Sequence, residues 1–551
     1  MKHVLLIAVL VACHHAKPVA MRPLPRDAYS HYLAGKLAMY REAWAEAATE
    51  LTAAAANAPD QPSISIELAR ALAKAKRGPE ARAVLARARA EWPEHSQVWL
   101  ASGELLEKDV PADAAGAYRR TIELEADDER AYLGLARIQL ASNDGKAAEA
   151  TLRELVTRVP TSTDGHYRLA QRLLLVKDLP GAVTQLRAVL EQDPDHIDAR
   201  LDLARALRRL GKLDEAILQT RSAFDRSAQP LDIADELFWL LCEADDRQAA
   251  IDLLTLLDDD RSDLDALATV LRLDLGLGRI AEATEVAQHI ATQDAEAGAL
   301  ALAQLHVVTG ELARSGEPLA VADIAPIEQS SKNFALARRY AAAALLAAQL
   351  PKRALELLEP ARTAAPKDLE LAYTAAIAAA DAGAVGDGRA LVTSLGPSPE
   401  AQLVRARFED HVADPAAALR LLLPLIAAHP DNSSALNLAG YLYAERKEHL
   451  DEAEAWLAHA RELSPGDPAI LDSWGWLLLQ RGRTREAIRA LDHASRFAPR
   501  EPEILLHLAA AWAADHQAKT AAHLLDQALA LHPGPDVKRR IDTLRSALVI
   551  K

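Results

Sequence analysis

A chain of 551 residues with a formal charge of −16 has room for several ordinary domains or for one long repeat array. The acidic balance argues against general nucleic-acid binding, which needs a basic surface to displace counterions. Two cysteines, Cys13 and Cys242, exclude any disulfide framework beyond a single bridge. Half of the residues are apolar, but only 4% are aromatic. Ala, Leu, Arg and Glu fill most of the chain while β-branched runs are scarce, so the expected class is all-α, with helices packed through small side chains.

At the start, Met1-Lys2-His3 is followed by the apolar run Val4 to Val11. That run is too short to span a bilayer, which takes about 20 residues, and it fits the apolar core of a secretory signal. Leu10-Val11-Ala12-Cys13 resembles the bacterial lipobox. The resemblance implies a lipoprotein signal peptide over 1–12, lipidation of Cys13 and a tether over 13–27. A diacyl anchor adds membrane affinity at about 0.8 kcal/mol per buried methylene. Two other readings stay open. Translation from Met21 would give a cytoplasmic protein, and Cys13-His14-His15 as a metal site would need further ligands that no recognised spacing supplies.

Prolines that close helical stretches fall at Pro59, Pro93, Pro160, Pro194, Pro366, Pro430, Pro465, Pro499 and Pro533, close to multiples of 34 apart. Two columns of small residues keep the same register. One runs through Gly35, Ala69, Gly103, Ala136, Ala170, Ala204, Gly440, Gly475 and Ala509. The other runs through Ala47, Ala81, Ala148, Ala182, Ala216, Ala354, Ala453, Ala487 and Ala521. Helix pairs approach closely only where a facing side chain is small. The period, the columns and segments such as "TDGHYRLAQRLLLVKDLPGAVTQLRAVLEQDPDH" (163–196) and "ILDSWGW" resemble the tetratricopeptide repeat, a helix-turn-helix module.

That resemblance implies a right-handed superhelix of antiparallel helix pairs, about fifteen over residues 28–533. Its expected parts are an N-terminal array over 28–297, a degenerate segment over 298–333, a C-terminal array over 334–533 and a capping helix over 534–551. Val537, Ile541, Leu544 and Leu548 follow helical spacing in that last stretch. The superhelix is expected to bend or break near one of two stretches, the degenerate segment or the Gly/Pro-rich 383–400.

Motifs that carry chemistry are weak. "GLGRIA" (276–281) imitates part of a dinucleotide fingerprint but falls in a helix–helix turn. "LDDDRSDLD" (257–265) lacks the glycine and glutamate of a calcium loop. HExxH, GxSxG, P-loop and CxxC patterns are missing, the 18 histidines are scattered, and Cys242 beside Leu240 and Leu241 reads as a small buried hydrophobe. The expectation is no enzyme, no cofactor and no metal site.

In tetratricopeptide repeats the first helix of each pair lines the concave face, so its polar positions are the candidate binding groove. One column reads Lys36, Arg70, Arg137, Gln171, Arg205, extended by Arg208 and Arg209. A free basic ladder would grip an acidic peptide or an anionic glycan. The competing reading pairs these cations with carboxylates such as Glu67 or Asp202. Further along, the same face carries Asn437, Tyr441, Asp472 and Trp476. The aromatics either stack on a ligand or fill an inter-helix seam. The lysine/asparagine clamp of chaperone-binding repeats is not assembled. Together, the resemblances imply a periplasm-facing lipoprotein scaffold held at the outer rather than the inner membrane. Its partners would be envelope proteins, in assembly or secretion of pores, pili or exopolysaccharide.

Overall fold

The computed structural model describes residues 24–549, apart from 229, 259–262 and 314–315. The lipobox, Cys13 and Met21 lie outside the described residues, as does the centre of the acidic stretch 257–265. Among the described residues there are 31 α-helices, from Arg26–Tyr40 to Pro535–Val549. They run as fifteen successive pairs and a final single helix. We refer to the first and second helix of each pair as A and B.

The proline ruler has a local cause. Pro59 follows the helix Trp44–Asn57, Pro194 follows Leu179–Gln192, and Pro499 follows Thr484–Phe497. Each sits two residues beyond a B helix, where a proline cannot continue the helix and sets the chain for the next A helix. A second ruler runs through the A–B turns. Glu42, Lys76, Asn143, Lys177, Gly211, Asp245 and Gly278 all have positive φ and recur about every 34 residues. The left-handed residue turns the chain back on itself, although glycine, the residue best suited to it, fills only some of these positions.

The small columns are sockets. A Cβ on Gly440 would lie 2.5 Å from Leu457 Cγ, and one on Gly103 2.6 Å from Tyr118 Cε1. Each glycine of the A-helix column thus receives a large B-helix side chain in full contact, and Leu457 and Tyr118 are buried accordingly. Burying one such leucine is worth about 2 kcal/mol. The B-column alanines Ala47, Ala148, Ala182, Ala453 and Ala487 have no exposed surface at all.

The chain divides into two compact units, Met1–Ala199 and Arg200–Lys551. In the first unit the core is a succession of small clusters, such as that of Leu51, Leu68, Leu72 and Leu85. In the second, the Ala295–Thr309 helix is followed by only a five-residue helix, Leu319–Asp323. Two contacts order this irregular stretch: His306 pairs with Asp323 at 2.6 Å, and Glu296 accepts from Ser331 and Asn333 at 2.5 Å each. The stretch from Gly383 to Ser398 contains a short helix, Val385–Thr393. At the far end Ile541 is fully buried, with Val537, Leu544 and Leu548 beside it, against Leu505, Leu506 and Leu525 of the last pair.

The second unit also coils until distant repeats meet. The His493 imidazole donates to the Cys242 carbonyl, 251 residues away, and Arg496 pairs with Asp245. Arg208 reaches the Glu462 carbonyl and lies 3.4 Å from Glu243. Gly466 (φ +71) sits so close to the Trp239 carbonyl that a Cβ would be 2.6 Å from its oxygen. The 251 residues between His493 and Cys242 amount to roughly seven to eight 34-residue repeats.

Candidate functional site

In the first unit the basic column is closed on itself. Lys36 lies 3.2 Å from Glu67, and Arg70 lies 3.5 Å from Glu67 and 3.4 Å from Glu104. Arg137 donates to Glu107 through two nitrogens, the Nη2 contact at 2.7 Å. Glu107 also accepts from the Tyr118 hydroxyl, and the Arg137 hydrogen bond holds its carboxyl below the usual range. Gln171 accepts from Arg168 at 3.2 Å. In the second unit Arg205 forks onto Glu236 at 2.7 and 2.9 Å, and Arg208 belongs to the coil contact described above. Lys36, Arg70, Arg137, Arg205 and Arg208, which suggested an anionic ligand, are therefore each matched by a carboxylate of their own or an adjoining repeat.

The aromatic and acidic residues near the other end are arranged differently. The A helices Pro399–His411, Ser433–Arg446, Pro468–Gln480 and Pro502–Ala514 lie side by side. Between them is an open hollow of about 590 Å³ that both Tyr441 and Asp472 line. Its apolar lining includes Leu403, Leu438, Ile470 and Ile504. Its polar lining includes Asn437, Asp467, Glu501, Glu503 and Arg407. The volume falls within the range of small-molecule and side-chain pockets.

A chain of polar contacts backs this hollow. Asp472, 7% exposed, lies 2.9 Å from Nδ1 of His507, which is completely buried. On the other side of that ring Arg540, from the final helix, lies 2.9 Å from Nε2. An arginine can only donate, so Nε2 accepts and Nδ1 carries the proton given to Asp472. Arg540 also donates to Glu503 at 2.6 Å, and Glu503 accepts from the Tyr441 hydroxyl at 3.2 Å. Burial, and then Glu503, pushes the Tyr441 hydroxyl far above its ordinary range. Trp476 stands behind the hollow, stacked on His507 with centroids 4.3 Å apart.

Several polar atoms are left over. The Asn437 amide oxygen and the Trp476 indole N–H are shielded from solvent and have no hydrogen-bond partner among the described residues. Burial, reinforced by Glu503 and Glu445, pushes Asp410 up to about 6. Desolvation of its carboxyl, then Glu503 and Asp472, raises Glu501 as well, although the residue as a whole is exposed. Arg407, the lining cation, is already engaged: it lies 3.3 Å from Glu370 and 4.1 Å over the Tyr373 ring.

The structure thus joins Tyr441 and Asp472, puts Trp476 one layer behind them, and leaves Lys36, Arg70, Arg137 and Gln171 in the first unit. Sequence reasoning missed Glu503, His507 and Arg540. The ruler contained the signal, since 472, 507 and 540 are spaced close to one repeat apart, and Glu503 and His507 are the two polar residues of an otherwise apolar helix. Among the described residues no three His, Cys, Asp or Glu side chains are grouped to hold a metal ion. No described helix is long and apolar enough to cross a membrane.

Comparison with known proteins agrees with the architecture. Residues 38–105, 105–174, 173–221 and 412–468 match the tetratricopeptide repeat family. A TPR repeat-containing protein of Pseudomonas aeruginosa is 42% identical over 84 residues, which is 15% of this chain and 14% of that protein. Yeast Tom70 is matched with 15% identity and a TM-score of 0.37, over 84% of this chain and 96% of that one. YrrB, titled a TPR protein with an unusual peptide-binding site, is matched with 18% identity and a TM-score of 0.29, over 34% of this chain and 96% of that one. At these scores the structural likenesses carry no argument about ligands. The fold is an all-helical tetratricopeptide-repeat solenoid, a scaffold class for protein–protein interaction that is generally non-enzymatic.

Proposed function

We propose that this solenoid is a lipid-anchored scaffold of the bacterial cell envelope, which holds an extended segment of a partner protein in the hollow between residues 403 and 504. The observation that carries the binding role is the hollow itself, a cavity with apolar lining on the A-helix face, lined also by Asn437, whose amide oxygen is shielded from solvent and has no partner among the described residues. A peptide backbone supplies the missing donor once the Asn437 side chain turns its oxygen into the hollow, and a solenoid groove suits it because each repeat adds contacts without changing the fold. The anchor rests on Leu10-Val11-Ala12-Cys13, and assembly or secretion in the envelope is the role that follows for a tethered scaffold.

The test uses cells expressing the full chain with p-benzoylphenylalanine at Leu438, in the hollow, or at Arg87, on an exposed B-helix surface of the first unit. The wild type is expected to take up radiolabelled palmitate and fractionate with membranes, and Cys13→Ala to do neither. Irradiation at position 438 should give a discrete crosslink that Asn437→Ala weakens, with none at position 87. Equal labelling of Cys13→Ala removes the anchor from the proposal. Identical crosslinks from both positions remove the hollow.

A further inference from the structure

We infer that the hollow selects a lysine or arginine side chain, presented by the extended partner segment whose binding is proposed above. The inference rests on that reading and adds the chemistry of the occupant. Four carboxylates line the cavity, Asp467, Asp472, Glu501 and Glu503, against the single guanidinium of Arg407. Three of them are in use within the fold. Asp467 caps its helix by accepting from the Ala469 N–H, Asp472 accepts from His507, and Glu503 takes Arg540 and Tyr441. Glu501 makes no ion pair among the described residues, and neither does Asp410 nearby. Both carboxyls are raised, and neighbouring carboxylates contribute to each rise. The hollow therefore carries more negative charge than the chain itself neutralises, and a cation entering it relieves repulsion already present.

The shape narrows the cation. A bare metal ion needs oxygens converging on one point, and no such grouping occurs among the described residues. The hollow instead is lined by Leu403, Leu438, Ile470 and Ile504 together with the four carboxylates. A lysine or arginine fits that layout, because its aliphatic stem lies on apolar surface while its head stays with the carboxylates. The Asn437 amide oxygen, which has no partner among the described residues, accepts from a backbone N–H of the same segment once its side chain turns into the hollow. An acidic ligand would meet the same carboxylates as like charges.

The test passes a degenerate library of acetylated, amidated nonapeptides over the purified full chain and sequences what is retained. Lysine and arginine should be enriched at one position. A fluorescein-labelled peptide of the enriched sequence should bind about tenfold more weakly to the double variant Glu501→Gln/Asp410→Asn. It should bind unchanged to Asp60→Asn, which removes a carboxylate at an exposed site in the first unit. Both substitutions in the double variant conserve shape, and its thermal melt reports that it is folded. Retained peptides that lack a basic residue, but lose affinity with Asn437→Ala, overturn the cationic choice and leave the peptide groove standing. Equal weakening by Asp60→Asn also overturns it, because binding would then follow net charge alone. A library with no enriched sequence overturns the groove and the inference together.

Discussion

The first unit and the hollow of the second build their concave faces from the same helix of each repeat and reach opposite electrostatic ends. In the first unit, cation and carboxylate alternate from one repeat to the next, so Lys36 meets Glu67 and Arg70 meets Glu104. In the second, carboxyls follow one another around Glu503, Glu501, Asp410 and Glu445, and burial sharpens their repulsion. A solenoid stacks residue n against residue n + 34, so the sign pattern along the ruler decides whether a groove is neutral or charged. The lesson is that a column of like-type residues on one helix face says little until the facing column of the next repeat is read with it.

The largest effect should come from removing the post that holds the charged side upright. His507→Ala deletes the donor to Asp472, the acceptor for Arg540 and the ring on which Trp476 stacks. It leaves a nearly buried carboxylate without its hydrogen-bond donor, which typically costs about 1–3 kcal/mol and more where the group is charged. The loss should be local, because repeats contact only their neighbours. Hydrogen exchange should therefore accelerate across residues 468–549 and stay as it was across 24–199. Uniform acceleration would mean that the C-terminal repeats do not form their own cooperative block.

Asp410 tests the excess charge directly. Its carboxyl is raised from an ordinary 3.8 to about 6, so the folded chain holds this proton more tightly than the unfolded one. The sign follows: the group favours folding below about pH 4, and that contribution is lost as pH rises through about 6. Asp410→Asn keeps the shape and removes the titration. Variant and wild type should melt together near pH 4, and the variant should be the more stable above pH 6. The upper bound on its advantage is about 3 kcal/mol. Melting curves recorded from pH 4 to 8 check this, and a gap that is constant over the range would contradict the assignment.

Much of this architecture was legible from periodicity. Prolines two residues beyond B helices and alanines at fully packed positions leave marks because only a few residue types satisfy their geometry. The left-handed A–B turn obeys the same period and left none, since Glu42, Lys76 and Lys177 stand where glycine would have signalled it. The basic column was legible as residues but not as a surface, because its partners sit about one repeat away and look unremarkable alone. Tyr441 and Asp472 were found as polar or aromatic positions on the concave helix. Glu503 and Arg540 became visible only once the helices were side by side, since each acts through a neighbour on another helix. Cys13 is a different kind of case, as its reading rests on four residues outside the described structure.

The smallest effect should come from the neutral side, and it sharpens the comparison most finely. Arg137 is 63% exposed and meets Glu107, which is 20% exposed and shared with Tyr118. An exposed pair of this kind is worth at most about 1 kcal/mol, because water and salt already screen it. Arg137→Ala should therefore cost about that much or less. The reversed pair, Arg137→Glu with Glu107→Arg, should recover part of the loss that Arg137→Glu alone produces. A double-mutant cycle from urea melts at low and high salt reads the coupling, which should shrink as salt is added. If the coupling is present, these cations serve the neighbouring repeat and have little charge left for a ligand. If Arg137→Ala leaves stability unchanged at both salt concentrations, the pair does no structural work, and the first unit's groove regains a cation free to bind.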